Sequence, residues 1–223
     1  MTALLRYQTA LLLRSQRWLP PVILYAVFLG VGVQGGQPVL DSLGYTAAAL
    51  LPVAAWLVRI CVTGEPEAAR ACVTAARGPA RTHLAALLTA LTAAALLGTV
   101  ATLIVTVISH HATNDHRLPV SPVRAGAAGL LATLACALLG SAVGALTNRP
   151  LLRSPGRAVP AMLLAALLAV VVGGSPAHAA VSGLVSGSES GRIPVSPLPL
   201  AAAVLLTAAA FATACALNGR RSS

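Results

Sequence analysis

Side chains that could carry chemistry are few in this sequence, and four of them lie in one polar segment. His110, His111, Asp115 and His116 have the donor types that bind Zn²⁺. Two adjacent histidines on a helix point in different directions, however, and the segment contains no metal-binding spacing. A polar loop is therefore the preferred interpretation, and a metal site is the alternative.

The motifs of common hydrolases and ATPases do not occur. The sequence has no Gly-x-Ser-x-Gly elbow and no His-Glu-x-x-His pair. In GSESG at 187–191 the serines do not stand at the central position that the nucleophile of such an elbow occupies. It contains no lysine, which excludes a Walker A loop and a Schiff-base enzyme. We therefore predict that the chain is not an enzyme and that it holds no metal or cofactor itself.

The four cysteines have no metal-binding or redox spacing. No Cys-x-x-Cys pair occurs among Cys61, Cys72, Cys136 and Cys215. Three of them lie in or beside apolar stretches, and Cys72 lies in a polar one. We predict that they pack as small hydrophobic side chains and form no disulfide framework.

Composition places the chain in a membrane. Of 223 residues, 57% are hydrophobic and 9% are charged, and the mean hydropathy is +0.83. A soluble domain carries about a quarter charged residues. The arginines flank apolar stretches and only 3% of residues are aromatic, which favours lipid headgroups over nucleic acid as their partner. We predict an all-α polytopic protein that forms a single transmembrane domain over 1–223.

Charge-free stretches of about 20 residues predict six transmembrane helices. An N-terminal helix within 1–19 carries Arg6, Arg14 and Arg17 and is expected to lie along the membrane interface. Pro52 lies inside the second span, where a kink is expected. The predicted spans are 20–36, 43–61, 83–109, 125–147, 158–175 and 198–217. They divide the chain into 20–62 (spans one and two), 63–81 (a cytoplasmic segment), 82–147 (spans three and four), 148–157 (a cytoplasmic loop) and 158–217 (spans five and six, with an outer loop at 174–197).

Arginine distribution predicts the orientation. With six crossings, twelve of the fifteen arginines fall on one side of the membrane, and Arg117, Arg124 and Arg192 fall on the other. Cytoplasmic segments carry the excess of basic residues, so both termini are predicted to be cytoplasmic. Arg59 is expected to reach the interface from the end of span two. The outer loop at 174–197 either re-enters the membrane or forms a flexible cap.

A short polar helix is predicted between spans two and three, within GEPEAARACVTAARGPARTH at 64–83. Pro66 suits a first turn, and the acidic Glu65 and Glu67 suit the positive end of the helix dipole. Gly78 can end the helix in a left-handed conformation, and Pro79 prevents its continuation. A compact charged helix over 65–77 therefore joins two spans.

None of the predicted spans contains a carboxylate. Ion-coupled transporters use ionisable groups or broken helices at mid-membrane, so external power and an apolar or amphipathic cargo are favoured. Threonines on span three either line a mildly polar path or hydrogen-bond to their own helix backbone. These are Thr89, Thr92, Thr99, Thr102 and Thr106.

The arrangement resembles the permease subunits of ABC-2 type transporters, especially compact actinobacterial ones. The resemblance lies in the interfacial helix, the six spans and the run Glu65–Arg70 followed by Ala76–Arg81. The outer loop is shorter than in lipid-exporting relatives, and aromatic residues are scarce. The resemblance implies a bacterial cell membrane protein that exports its substrate by alternating access. A non-ABC accessory or scaffold subunit is the alternative.

The resemblance also implies where a motor attaches. In that family the helix between spans two and three docks on a separate ATP-binding cassette subunit, which carries ATP and Mg²⁺, and the permease pairs with a second copy or a homologue. Glu65, Glu67, Arg70 and Arg77 would form ion pairs with that subunit, and Ala69, Cys72 and Val73 would supply apolar contact. The implied coupling residues are Glu65, Pro66, Glu67, Arg70, Val73 and Arg77. The alternative is a helix that floats at the lipid headgroups.

Overall fold

The computed structural model describes residues 1–34, 36–109, 121–148, 154–191 and 195–220. These residues fold into nine α-helices, and no β-strand occurs among them. The helices are α1 (Thr2–Ser15), α2 (Leu19–Gly32), α3 (Val39–Thr63), α4 (Glu67–Arg77), α5 (Pro79–Ile108), α6 (Pro122–Thr147), α7 (Pro155–Val171), α8 (Pro176–Ser190) and α9 (Leu198–Arg220).

Prolines mark most helix starts. A proline occupies the first or second position of α2, α5, α6, α7 and α8, where its missing N–H would have no intrahelical partner in any case. Pro38 and Pro66 immediately precede α3 and α4. Pro52 lies inside α3, which nevertheless continues to Thr63 as one helix. The proline positions therefore account for the segmentation of this apolar chain.

Helix α3 is the centre of the bundle. It packs against α6, α5, α8 and α2, and most of its side chains are buried. Helix α2 is attached through Tyr25, whose hydroxyl donates a hydrogen bond to the carbonyl oxygen of Thr46 at 3.1 Å. Helix α1 packs against α5 and α3, and α4 packs against α5. Each outer helix therefore connects to the centre either directly or through α5.

The α3–α6 seam consists of small residues of α6 pressed against α3. A Cβ atom added at Gly144 would lie 2.7 Å from Val58 Cβ and 2.8 Å from the Ala55 carbonyl oxygen. At Gly140 it would collide with the Leu51 carbonyl oxygen. Small residues allow helix backbones to approach closely in lipid, so α6 packs directly against the backbone of α3 at this seam.

The structure confirms a multi-pass α-helical membrane protein but not six separate spans. Within the described residues, four helices are long and apolar enough to cross a membrane, namely α3, α5, α6 and α9. Helices α7 and α8 form a fifth candidate as one span bent by 46°. Helix α2, predicted as span one, has 14 residues, which cover about 21 Å at 1.5 Å per residue. That length is shorter than a hydrocarbon core of about 30 Å.

The predicted outer loop at 174–197 contains a helix. Helix α8 begins after the break at Val172–Ser175, and its Leu184 is buried beside Gly44 of α3. Across the bend, the His178 ring nitrogen Nδ1 lies 3.0 Å from the carbonyl oxygen of Val170. Because that oxygen can only accept, Nδ1 must carry the proton. The segment therefore packs on the bundle as a helix.

Described arginines concentrate at the end of the bundle that carries α4, which we call the α4 end. Polar contacts join helices there: Arg59 Nη1 donates to Asn148 Oδ1 at 2.8 Å, and Asn218 Nδ2 donates to the Pro79 carbonyl oxygen at 3.1 Å. The arginines at this end are Arg6, Arg14, Arg17, Arg59, Arg70, Arg77, Arg81 and Arg157. Arg124, at the start of α6, lies at the opposite end.

Candidate functional site at the α4 end

Helix α4 forms close to where the sequence predicted it. It begins at Glu67, directly after Pro66, and ends at Arg77, so acidic and basic side chains match the two ends of its dipole. Gly78 follows with φ 84° and ψ 150°. The predicted positive φ is confirmed, but the ψ value lies outside the left-handed helical region. Pro79 then starts α5, so a single glycine separates the two helices.

The side of α4 that faces the bundle includes Arg70 and Thr74, the polar residues in the middle of the helix. Ala69, Arg70, Val73 and Thr74 are half-buried on this inward side, and no residue of α4 is fully buried. The Thr74 hydroxyl donates to the Arg70 carbonyl oxygen at 2.8 Å. An amphipathic helix usually turns its apolar side toward the core, and α4 does not follow that pattern.

Arg70 is used inside the chain. Its Nη1 lies 3.4 Å from the carbonyl oxygen of Val62, to which it donates. That oxygen is one of the last four carbonyl groups of α3, which lack intrahelical partners. A basic side chain near a helix C-terminus also interacts favourably with the dipole. Arg70 therefore ties α4 back onto the end of α3.

Glu65 is also engaged within the chain. It lies in the link between α3 and α4 and is half-buried. Its Oε2 accepts a hydrogen bond from Gln8 Nε2 of α1 at 3.5 Å. Burial in the first place, and the Glu65 carboxylate in the second, raise the pKa of Tyr7 above its ordinary value. The contact joins α1 to the start of α4.

The other side of α4 is uncovered and apolar. We call its exposed small residues the outward face: Ala68, Ala71, Cys72, Ala75 and Ala76. Pro66, Glu67 and Arg77 are exposed as well. Of the six predicted coupling residues, these three are therefore accessible, whereas Glu65, Arg70 and Val73 contact the chain. The Ala/Cys composition of the outward face was visible in the sequence, but its exposure was not.

Polar groups elsewhere have mostly internal roles. The hydroxyls of Thr89, Thr92, Thr99 and Thr106 donate to carbonyl oxygens of their own helix, as one of the two alternatives proposed. Thr102 differs because its hydroxyl lies 3.0 Å from that of Thr133 on α6. The α5 threonines are therefore satisfied by the protein.

The structure adds detail for three single residues. Arg59, expected at the interface, binds Asn148, a contact for which the sequence had no signal. His83, near the start of α5, is 2% exposed, whereas Arg81 is exposed. Cys72 is exposed rather than packed, since it belongs to the outward face.

The other three cysteines are at least partly buried. Cys61 and Cys136 are buried, Cys215 is half-buried, and none of the cysteines forms a disulfide. In the part of the chain that the structure describes, no three His, Cys, Asp or Glu side chains are placed to hold a metal ion. The segment with His110, His111, Asp115 and His116 lies outside the described residues.

The fold and the site together define a class: an all-α multi-pass membrane protein with an exposed amphipathic helix at its arginine-rich end. Comparison with protein-family models, curated proteins and solved structures found no match to the chain.

Proposed function

We propose that the chain is the permease subunit of an ABC exporter in a bacterial cell membrane, and that α4 is the docking site of a separate ATP-hydrolysing subunit. The proposal rests on one observation: α4 leaves its apolar face uncovered although it is joined to α3 and α5 within the chain. A second permease copy or a homologue completes the transporter. Each copy moves an apolar or amphipathic substrate by alternating access.

The connections of α4 suit a mechanical role. Three residues, 64–66, connect it to α3, and Gly78 alone connects it to α5. Because α3 packs against most of the bundle, a displacement of α4 is passed directly to the central helix. Rigid-body movement of packed helices is a common way to switch a protein between two states. ATP-driven closure of the partner would supply that displacement.

The outward face suits a protein groove better than a lipid surface. Helices that lie in the interface insert bulky Leu, Phe or Trp side chains and carry basic residues on the polar side. The outward face has only alanines and Cys72, so little apolar area would enter lipid, and the exposed Glu67 is acidic. Small residues instead allow close approach of a partner. A fitting groove would present a basic group near Glu67 and an acidic group near Arg77.

The orientation belongs to the proposal. Arginines concentrate at the α4 end, which supports a cytoplasmic position for α4 and for both termini. Cys72 provides a test because it is the exposed cysteine. A membrane-impermeant maleimide should label Cys72 in inside-out vesicles and not in intact cells. Labelling in intact cells would place α4 outside and exclude a cytoplasmic motor.

Two features support external power and an apolar cargo. The sequence has no lysine and therefore no Walker A loop of its own. The threonines of α5 bond to backbone or to Thr133, which leaves few groups free to solvate a charged substrate. Both features agree with a subunit that receives work from a partner.

The decisive experiment measures ATP turnover. The proposal requires an ATP-hydrolysing subunit that co-purifies with the chain; the two are reconstituted in lipid nanodiscs, and turnover is compared between the native chain and Ala71→Trp. The bulky ring on the outward face should prevent docking and lower permease-dependent turnover about tenfold, which equals roughly 1.4 kcal/mol of lost interaction. The matched control is Ala10→Trp, at an exposed position of α1, which should leave turnover unchanged.

Two outcomes would contradict the exporter. Equal turnover for Ala71→Trp and Ala10→Trp would show that the outward face does not dock the ATPase. A partner that binds through the outward face but hydrolyses no ATP would instead indicate the accessory or scaffold subunit that is the alternative function.

A further inference from the structure

We propose that α1 is a brace that sets the direction of α4, and that Gln8 is a positioning residue that acts through Glu65. The brace is a property of this chain alone. Its test requires no ATPase and no substrate, so its failure and the failure of the exporter proposal are distinguishable.

The first step is the way α1 is seated. Leu4, Gln8 and Leu12 follow one another at four-residue intervals and are the buried residues of α1, so one stripe of the helix faces the bundle. Leu12 belongs to the same core cluster as Cys61 and Val62 at the end of α3. Helix α1 is therefore packed onto the end of α3 from which the link to α4 departs.

The second step is the burial of Gln8. This amide side chain is 2% exposed within an otherwise apolar stripe. A buried amide costs free energy unless it is hydrogen-bonded. Gln8 Nε2 donates to Glu65 Oε2 at 3.5 Å. A leucine at position 8 could be buried without leaving a polar group to satisfy. We therefore attribute the glutamine at this position to its contact with Glu65.

The third step concerns the Glu65 carboxylate. Its second oxygen, Oε1, is enclosed and accepts no hydrogen bond from the described residues. Among the described residues, the hydrogen bond to this carboxylate comes from Gln8 of α1. The raised pKa of the neighbouring Tyr7 agrees with a carboxylate held beside α1. Glu65 therefore depends on α1 for its position.

The fourth step is the freedom that α4 would otherwise have. Gly64 begins the link that precedes α4, and Gly78 follows the helix with a φ of 84°. Glycine permits backbone conformations that other residues rarely adopt, so a glycine on each side allows α4 to change direction. Arg70 restrains the helix through a contact of 3.4 Å with Val62. Fixing Glu65 adds a restraint in the link just before the first turn, and a displacement of α1 is therefore passed to α4.

The experiment measures the distribution of α4 positions. Cys72 and a second cysteine introduced by Ser154→Cys, exposed at the start of α7, are spin-labelled in the full chain in nanodiscs, with the other cysteines replaced by alanine. Pulsed EPR gives their distance distribution. Gln8→Leu should widen it about twofold, because α4 then samples several directions. Gln34→Leu, at an exposed position outside the helices, should leave the width unchanged.

An exchange variant separates positioning from general packing. In Gln8→Glu with Glu65→Gln, the amide and the carboxylate trade places and the hydrogen bond can form again. This double variant should restore the narrow distribution, which a purely structural defect of Gln8→Leu would not predict. Glu65→Ala removes the carboxylate from the half-buried link and should widen the distribution as Gln8→Leu does.

Unchanged width in both Gln8→Leu and Glu65→Ala would overturn the brace. It would also be overturned if the exchange variant were as wide as Gln8→Leu. If Gln8→Leu does not fold, Glu65→Ala and the exchange variant alone decide the question.

Discussion

The α3–α6 seam and helix α4 lie in one chain but are held in opposite ways. At the seam, Gly140 and Gly144 bring α6 against backbone oxygens of α3, and the surrounding side chains are buried. Helix α4 has no buried residue and is held by Arg70 and by the adjacent Glu65. The seam therefore contributes packing energy, whereas α4 is restrained by a few polar contacts and left free to meet a partner.

This difference predicts that stability and the proposed docking can be changed separately. Interfaces formed by close packing respond strongly to one added methyl group. Exposed positions usually respond by no more than about 0.5 kcal/mol. Substitutions at the seam should thus destabilise the fold without altering the outward face. Substitutions on the outward face should impair the proposed docking without destabilising the fold.

The largest effect is expected for Gly144→Ala. Its methyl group would meet Val58 Cβ at 2.7 Å and the Ala55 carbonyl oxygen at 2.8 Å, and a helix carbonyl cannot move aside cheaply. We expect a loss of about 1–3 kcal/mol in the free energy of unfolding, measured by thermal or denaturant unfolding in nanodiscs. Gly30→Ala is the matched control because its methyl group would meet no atom within 4 Å. It should be neutral or slightly stabilising, and equal losses at both sites would refute the tight seam.

A smaller effect is expected for Thr102→Val. It removes the contact of 3.0 Å to the Thr133 hydroxyl while keeping the shape of the side chain. Hydrogen bonds between helices in membranes contribute about 0.6 kcal/mol on average. A double-mutant cycle with Thr133→Val measures the coupling. Thr92→Val, where the hydroxyl bonds to Leu88 of its own helix on an exposed face, should show no coupling with Thr133→Val.

Titration of Tyr7 provides a local measure of the α1 contact. The pKa is raised above 10.0 by burial and by Glu65, so the neutral hydroxyl is favoured in the fold. This preference adds to the free energy of unfolding at a pH below the ordinary pKa of tyrosine. The contribution is lost as the pH rises through the raised pKa of Tyr7. Glu65→Gln should lower the pKa of Tyr7 without returning it fully, because the burial remains. The ¹³C-tyrosine NMR signal, assigned with Tyr7→Phe, measures it, and Glu67→Gln should have no effect.

The smallest effect on folding is expected for Ala71→Leu. This position lies on the outward face and is exposed, so the free energy of unfolding should change by less than about 0.5 kcal/mol.

Cys72 in the folded protein should react with maleimide at a rate close to that of a free thiol, whereas Cys61 and Cys136 should react only on unfolding because they are buried. A protected Cys72 in the purified chain would show that the outward face is already covered.

Much of the helical framework could be predicted from the sequence. Charge-free stretches located the apolar helices, and Pro66, Gly78 and Pro79 located α4 to within two residues. Span one was predicted to extend to residue 36, but α2 ends at Gly32. The prediction was too long because a stretch without charged residues can continue beyond the end of a helix. Helix α8 was predicted as a loop because Gly and Ser are frequent at 174–197, although packing against α3 and α6 stabilises it. Its Ser175 side chain caps the first turn by accepting from the Ala177 N–H at 3.2 Å.

Composition and local chemistry thus account for the membrane location, the helical class and the position of a short polar helix, because hydropathy and proline act over a few neighbouring residues. The direction in which α4 faces depends on residues distant in sequence. Val62 offers a carbonyl group without an intrahelical partner, and Gln8 offers an amide to Glu65. These contacts draw Arg70 and Glu65 toward the bundle and leave alanines and Cys72 outside, an arrangement that only the packing of α1, α3 and α4 could decide.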